Sequence, residues 1–152
     1  MRWRKRRSGA GPQLPVLPDE PVSRTFGFER GKPVDRWYIE RFLAEHAADV
    51  RGRVLEVAES TYTGWYGGDE VTASDVLFAA EGNPDATVIG DLTTGAGIAE
   101  AAYDCFICTQ TLQVIYDIRA AVAGTRRLLA PGGALLLQFR EQPKDRLDRS
   151  RF

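Results

Sequence analysis

The chain reads as an α/β domain built on an open, mostly parallel sheet with flanking helices. Three observations predict this. Short apolar runs recur along the chain, they are separated by crossover-length segments rather than two-residue hairpin turns, and two helical patterns with N-terminal acids flank them. A chain of 152 residues is enough for one domain.

From Pro33 onward, Ile39, Phe42, Leu43, Ala47 and Val50 recur at helical spacing. Asp35 is placed to cap that helix and Gly52 to end it. Arg53 to Val57 then reads as a short buried strand, and further strand-like runs follow at Val71 to Val76, Thr87 to Ile89 and Tyr103 to Cys108. Ile115, Ile118, Val122, Leu128 and Leu129 form a second helical stripe, with Asp117 near its start. Pro131-Gly132-Gly133 is expected to stop that helix and turn the chain into a last strand, Ala134 to Phe139. The glycine-rich connections after the first three strands have room for only a helical turn or two each.

The flanks read differently. Residues 1–21 carry Arg2, Arg4, Lys5, Arg6 and Arg7, then four prolines, and are expected to form a basic, unpacked arm. Residues 22–139 form the domain, and residues 140–152 are a loose charged tail without an apolar period. A formal net charge of -1 gives no global pull toward nucleic acid or membrane. No apolar run approaches the roughly 18 residues of a bilayer span. Neither nucleic acid nor membrane is therefore an expected partner, and a cytoplasmic address follows by default. Cys105 and Cys108 are three apart in a strand, so they point to opposite faces and are expected to be core residues rather than a shared metal site. His46 is the only histidine, which leaves no zinc set and no metal site to expect.

In an open parallel sheet, ligands bind beyond the carboxyl ends of the strands. Glu56 lies late in the first strand, Asp75 is expected near the end of the second and Asp91 just after the third, while Thr109 and Gln110 follow the fourth. A carboxylate at such a place can accept from both hydroxyls of a ribose or from an adenine amino group. The three acids are expected to converge on one rim. Core packing is the expectation for Trp37, whereas Trp65 and Tyr66, in a glycine-flanked loop, are equally suited to line a pocket. Arg24, Arg30 and Arg36 read first as surface ion pairs.

Val54-Leu55-Glu56-Val57, Asp75, Asp91-Leu92, Tyr103-Asp104-Cys105-Phe106-Ile107 and Leu128-Leu129-Ala130-Pro131-Gly132-Gly133, taken in order, resemble the motif series of class I S-adenosylmethionine-dependent methyltransferases. More narrowly, Pro21 to Phe28, Asp35 to Glu40 and Thr109 to Asp117 are similar to bacterial methyltransferase-like proteins associated with glycosyltransferases. The resemblance implies a Rossmann-type three-layer sandwich with strand order 3-2-1-4-5. It implies S-adenosylmethionine as cofactor and an O or N acceptor on a small molecule or sugar. It further implies that Glu56 belongs to the first cofactor motif, with Ala58 and Ser60 in the loop that follows. Asp75 would hold the ribose, Asp91 and Leu92 would flank the adenine, and Thr109 and Gln110 would floor the methionine part. Asp35 and Tyr38 are candidate lid residues, and no catalytic residue is assigned.

Two departures stand out. Ala58-Glu59-Ser60-Thr61-Tyr62 replaces the usual glycine-rich loop, where side chains cost room and disfavour left-handed backbone. The family's final antiparallel strands are also missing, so a C-terminally truncated product is expected, with its fifth strand as an apolar edge open to self-association. Both departures leave a second reading, a relic or interaction module that keeps the fold without the cofactor. A third, an NAD-type oxidoreductase, is disfavoured by the lack of a GxGxxG after the first strand.

Overall fold

The computed structural model describes residue 20, residues 23–25 and residues 27–139. The expected arm at residues 1–21 and tail at residues 140–152 lie outside the described residues, residue 20 excepted. The chain divides into two compact units, residues 1–34 and residues 35–152. The first holds a turn at Phe28–Arg30, where Ser23 Oγ accepts from the amides of Thr25 and Gly27.

The second unit is built on five parallel strands: β1 (Gly52–Val57), β2 (Val71–Phe78), β3 (Val88–Ile89), β4 (Tyr103–Thr109) and β5 (Leu129–Gln138). Their order is β3-β2-β1-β4-β5, as the motif series implies. Three α-helices accompany them: α1 (Val34–Glu45), α2 (Thr61–Tyr66) and α3 (Ile118–Leu128).

Period-two alternation divides the core between the two faces of the sheet. Val54, Cys105, Ile107 and Leu136 pack with Ile39 and Leu43 of α1 and Tyr62 of α2. Leu55, Leu77, Phe106 and Cys108 pack on the other face with Ala121 and Leu128 of α3. The two thiols accordingly stand on opposite faces, as expected. Burial pushes Cys105 up to about 12 and Cys108 up to about 11, which makes both inert core residues.

Asp117 caps α3, its side chain accepting from the amide of Ala120 at 2.9 Å. The buried face of α3 is Ala121, Gly124, Thr125 and Leu128, however, while Ile118 and Val122 of the expected stripe are exposed. Small residues win because the helix approaches the chain closely: a Cβ on Gly124 would stand 1.7 Å from the Leu92 carbonyl oxygen.

Several boundaries differ from expectation. α1 begins at Val34, so Asp35 sits in its first turn rather than capping it, and the helix ends at Glu45. A 3-10 turn, Ala47–Asp49, carries the chain to Val50, and Gly52 opens β1. β5 begins at Leu129, directly after α3. Pro131-Gly132-Gly133 is absorbed as a bulge: Tyr103 pairs with Leu129 but Cys105 pairs with Ala134, so three extra residues stand on β5. Trp37 is 48% exposed rather than core, with Arg41 over its ring, because Ile39 and Leu43 already fill the inward face of α1. Within the described residues β5 is an edge paired only to β4, and no helix among them is long and apolar enough to cross a membrane.

Candidate functional site

The carboxyl ends of β1, β2, β3 and β4 share one edge of the parallel sheet. Glu56 is the penultimate residue of β1 and only 2% exposed. Its Oε1 accepts from the amide of Tyr62 at 3.1 Å, and its Oε2 from the amide and hydroxyl of Thr63, both at 2.8 Å. These amides belong to the first turn of α2, which has no side-chain cap from Ser60. Glu56 is therefore the N-terminal cap of α2, supplied from the strand beneath, and its negative charge faces the positive end of the helix. Thr-Tyr-Thr-Gly-Trp-Tyr is a poor helix former by propensity, so this cap is what holds the turn. Burial pushes the Glu56 carboxyl above the usual carboxylate value, and the donors from Thr63 and Tyr62 pull it part of the way back.

Between Glu56 and α2 the chain runs through Val57, Ala58, Glu59 and Ser60, the last three exposed. Ala58 takes φ +71°, left-handed backbone that glycine supplies more cheaply. It is held there from both sides. Its amide donates to the Leu77 carbonyl at 2.9 Å, and its own carbonyl accepts from Asn83 Nδ2 at 2.7 Å. The loop thus takes left-handed backbone at Ala58 without a glycine, clamped by β2 and by the β2–β3 connection.

Asp91 is the second residue past β3, is exposed, and accepts from the amide and hydroxyl of Thr93 and the hydroxyl of Thr94. These bonds, the Thr93 hydroxyl first, hold its carboxyl below the usual range. Leu92 is a correction: its side chain is buried in the α3-side core, 6% exposed, so only its backbone can face the rim.

Thr109 ends β4, and its carbonyl accepts from the Thr111 hydroxyl at 2.9 Å. Gln110 turns left-handed at φ +50° and donates its side-chain amide to Asp35 of α1. The next residue of α1, Arg36, donates to the Tyr62 hydroxyl at 2.7 Å. The first turn of α1 is therefore tied to the end of β4 and to α2. Tyr62 is buried and Trp65 is 61% exposed.

Asp75 is the larger correction. β2 runs on to Phe78, so Asp75 lies inside the strand, three residues short of its end, opposite Leu55 of β1. Its Oδ2 accepts from Arg53 Nε and Nη2, both at 2.8 Å, and its Oδ1 from the Thr87 hydroxyl at 2.9 Å. Arg53 in turn lies over the Tyr103 ring. Arg53 is the second residue of β1 and Thr87 immediately precedes β3, so the Asp75 carboxylate is held by an ion pair and a hydroxyl within the sheet. Glu56 and Asp91 stand at or just past strand ends, whereas Asp75 lies inside β2.

Sequence reasoning missed the residues that occupy the end of β2. Glu81 is exposed on the connection three residues beyond Phe78, and Asn83 clamps Ala58 two residues later. The Gly82-Asn83-Pro84 turn was the available signal. Among the described residues no group of three His, Cys, Asp or Glu could hold a metal ion, and His46 rests with Nδ1 2.9 Å from the Phe42 carbonyl.

An adenosyl group asks for an exposed turn after β1, an acceptor near the end of β2 and a polar edge after β3. Ala58–Ser60 are exposed after β1, Glu81 is exposed on the connection after β2, and Asp91 is exposed after β3, residue types that suit such a group.

No curated protein matches the chain. Among solved structures it is similar to the YcgJ protein of Bacillus subtilis, with 18% identity over 66% of this chain and 50% of that one and a TM-score of 0.52. It is also similar to a candidate type II methyltransferase from Anaeromyxobacter dehalogenans, with 20% identity, 62% and 45% coverage and a TM-score of 0.46. The chain spans about half the length of these two structures, and at these identities the likeness to YcgJ speaks for the fold alone. The family described as methyltransferase domain matches residues 51–137, from the start of β1 almost to the end of β5 and more than half of the chain. The chain belongs to that methyltransferase domain family.

Proposed function

We propose that this domain binds S-adenosylmethionine along the carboxyl-end rim and supports methyl transfer to an O or N acceptor of a small molecule or sugar. The observation that carries the reading is the clamped left-handed turn at Ala58. A loop without the usual glycines still adopts the glycine-type turn directly after β1, fixed by Leu77 and Asn83. In this arrangement Glu56 shapes the loop by capping α2, Ser60 contributes a hydroxyl, and Glu81 replaces Asp75 as the ribose acceptor. Asp91 and the backbone of Leu92 border the adenine, and Thr109 and Gln110 floor the remainder. The cofactor supplies a methyl group on a sulfonium, already a good leaving group, so the protein's share is positioning and the exclusion of water. A sugar acceptor suits the narrower resemblance to glycosyltransferase-associated proteins.

The side chains of Ala58, Glu59 and Ser60 also favour the second reading, a fold retained without its cofactor. Calorimetric titration separates the two. Saturable heat with S-adenosylhomocysteine and none with NAD supports the cofactor reading. Silence with both ligands supports the relic, and heat with NAD alone overturns the family-based assignment of the ligand.

A further inference from the structure

β5 has the makeup of an interior strand but stands at the end of the sheet. Leu136 packs in the α1-side core, and Leu135 and Leu137 pack against the α3-side core, so both faces of the strand are covered. Its register against β4 is regular from Ala134 to Gln138. On the other side, among the described residues, no strand pairs with it, which leaves a row of backbone amides and carbonyls without ladder partners. Sheets blunt such edges with a lysine, a proline or a bulge. Here Pro131 and the bulge come before Ala134, and the stretch from Gly133 to Phe139 carries no charge and no proline.

That stretch is also matched to itself. Antiparallel pairing of two copies about a two-fold axis at Leu136 uses its whole length, because Ala134 and Gln138 lie equally far on either side. The opposite neighbours are then Leu136 and its own copy, Leu135 and Leu137, Ala134 and Gln138, and, one step out, Gly133 and Phe139. Each pair shares a face of the sheet, and the larger member of each unequal pair meets an alanine or a glycine. Phe139, 47% exposed in the single chain, lies over a glycine in this register. Moving the axis to Leu137 sets Ala134 against Arg140, and moving it to Leu135 draws the bulge residue Gly132 into the ladder.

We infer that the free edge of β5 is the seam of a homodimer, in which two copies of this chain join into one continuous sheet by antiparallel pairing centred on Leu136. No like charges meet along this seam, and like charges set directly opposite are what destabilise a strand pair. Residues 140–152 are charge-dense and include Pro143, so their sequence offers β5 no comparable apolar match. A specific interface buries about 1,200 Å² or more. The axis stands normal to the sheet, so both α3 helices lie on one face of the joined sheet, and their exposed Ile118 and Val122 are further apolar surface on that face.

The test uses the full chain. Sedimentation velocity over a concentration series should show a monomer–dimer equilibrium that reaches dimer at high micromolar concentration. In a mixture of isotope-labelled and unlabelled chains, filtered nuclear Overhauser spectra should then show contacts between Leu135 of one copy and Leu137 of the other, because opposite residues of an antiparallel pair stand about 4.5–5.5 Å apart. Phe139→Lys sets a charge at the seam on a side chain that is half exposed, and unchanged thermal melting of the dilute variant reports an intact fold. It should weaken the dimer about tenfold or more, since each substitution acts twice in a two-fold interface. A chain that stays monomeric throughout leaves the edge to residues 140–152 or to another protein and overturns the inference. So does a dimer without the Leu135–Leu137 contacts, or one whose strength Phe139→Lys leaves unchanged.

Discussion

Replacing Ala58 with glycine tests the clamped turn on which the site depends. Ala58 is exposed and sits at φ +71°, so its methyl group makes no core contact to lose. A left-handed residue with a Cβ costs roughly 1–2 kcal/mol. Glycine removes that strain but adds freedom to the unfolded chain worth about 0.4–1 kcal/mol. The difference predicts that Ala58→Gly is more stable than the parent by about 0.5–1 kcal/mol. Urea unfolding followed by tryptophan fluorescence reads this as a raised midpoint at unchanged slope. The amide of Ala58 still reaches Leu77 and its carbonyl still meets Asn83, so S-adenosylhomocysteine affinity should be equal or better. A variant destabilised by more than about 0.5 kcal/mol would show that the backbone at residue 58 is not left-handed, and the reasoning about the loop would fall.

Gly124→Ala should destabilise by about 3 kcal/mol or more, since its Cβ would stand 1.7 Å from a backbone oxygen that no side-chain rotation can relieve; thermal unfolding within a degree of the parent would contradict the close approach of α3. Asp75→Asn should cost about 1 kcal/mol by loosening Arg53 and leave S-adenosylhomocysteine affinity unchanged, because both carboxylate oxygens are engaged by Arg53 and Thr87; a large loss of affinity would return Asp75 to the ribose. Glu56 has a folded pKa raised above 4.5, so the folded state binds its proton more readily than the unfolded one. Its stabilising contribution is complete below pH 4.5 and is lost as pH rises through the raised folded value. Glu56→Gln does not titrate, so parent stability minus variant stability should fall across that window, and a difference that rises there would refute the burial argument.

Local chemistry made most of the fold legible. Val54-Leu55 and Phe106-Ile107 are continuous apolar pairs that only a sheet covered on both faces can bury, and they mark β1 and β4. Asp117 announces α3 because a cap acts on the amides next to it. What escaped was set by distant partners. α2 has no cap of its own and takes Glu56 from another element. Leu129 and Ala130 continue a helical stripe yet pair with β4, since the extra residues are absorbed in a bulge. The site was half legible for the same reason. Glu56, Asp91 and Gln110 follow from their positions at strand ends. Asp75 lies farther from the strand end than expected because β2 runs two residues beyond the Val71-to-Val76 stretch, and its ion-pair partner Arg53 comes from the neighbouring strand β1, distant in sequence. Asn83 gave only a turn signal, and nothing nearby in sequence tells that its amide reaches back to Ala58.

The central claim is that ligand chemistry belongs to the carboxyl ends of these strands. Backbone amide spectra recorded while S-adenosylhomocysteine is titrated into the labelled protein test it most directly. The largest shifts should fall on Ala58 to Ser60, Gly90 to Leu92 and Thr109 to Thr111, with Glu81 moving alongside. Shifts centred instead on Arg51, Gly52, Glu70, Asp104 and Gly132, which line a groove at the amino ends, would contradict the account.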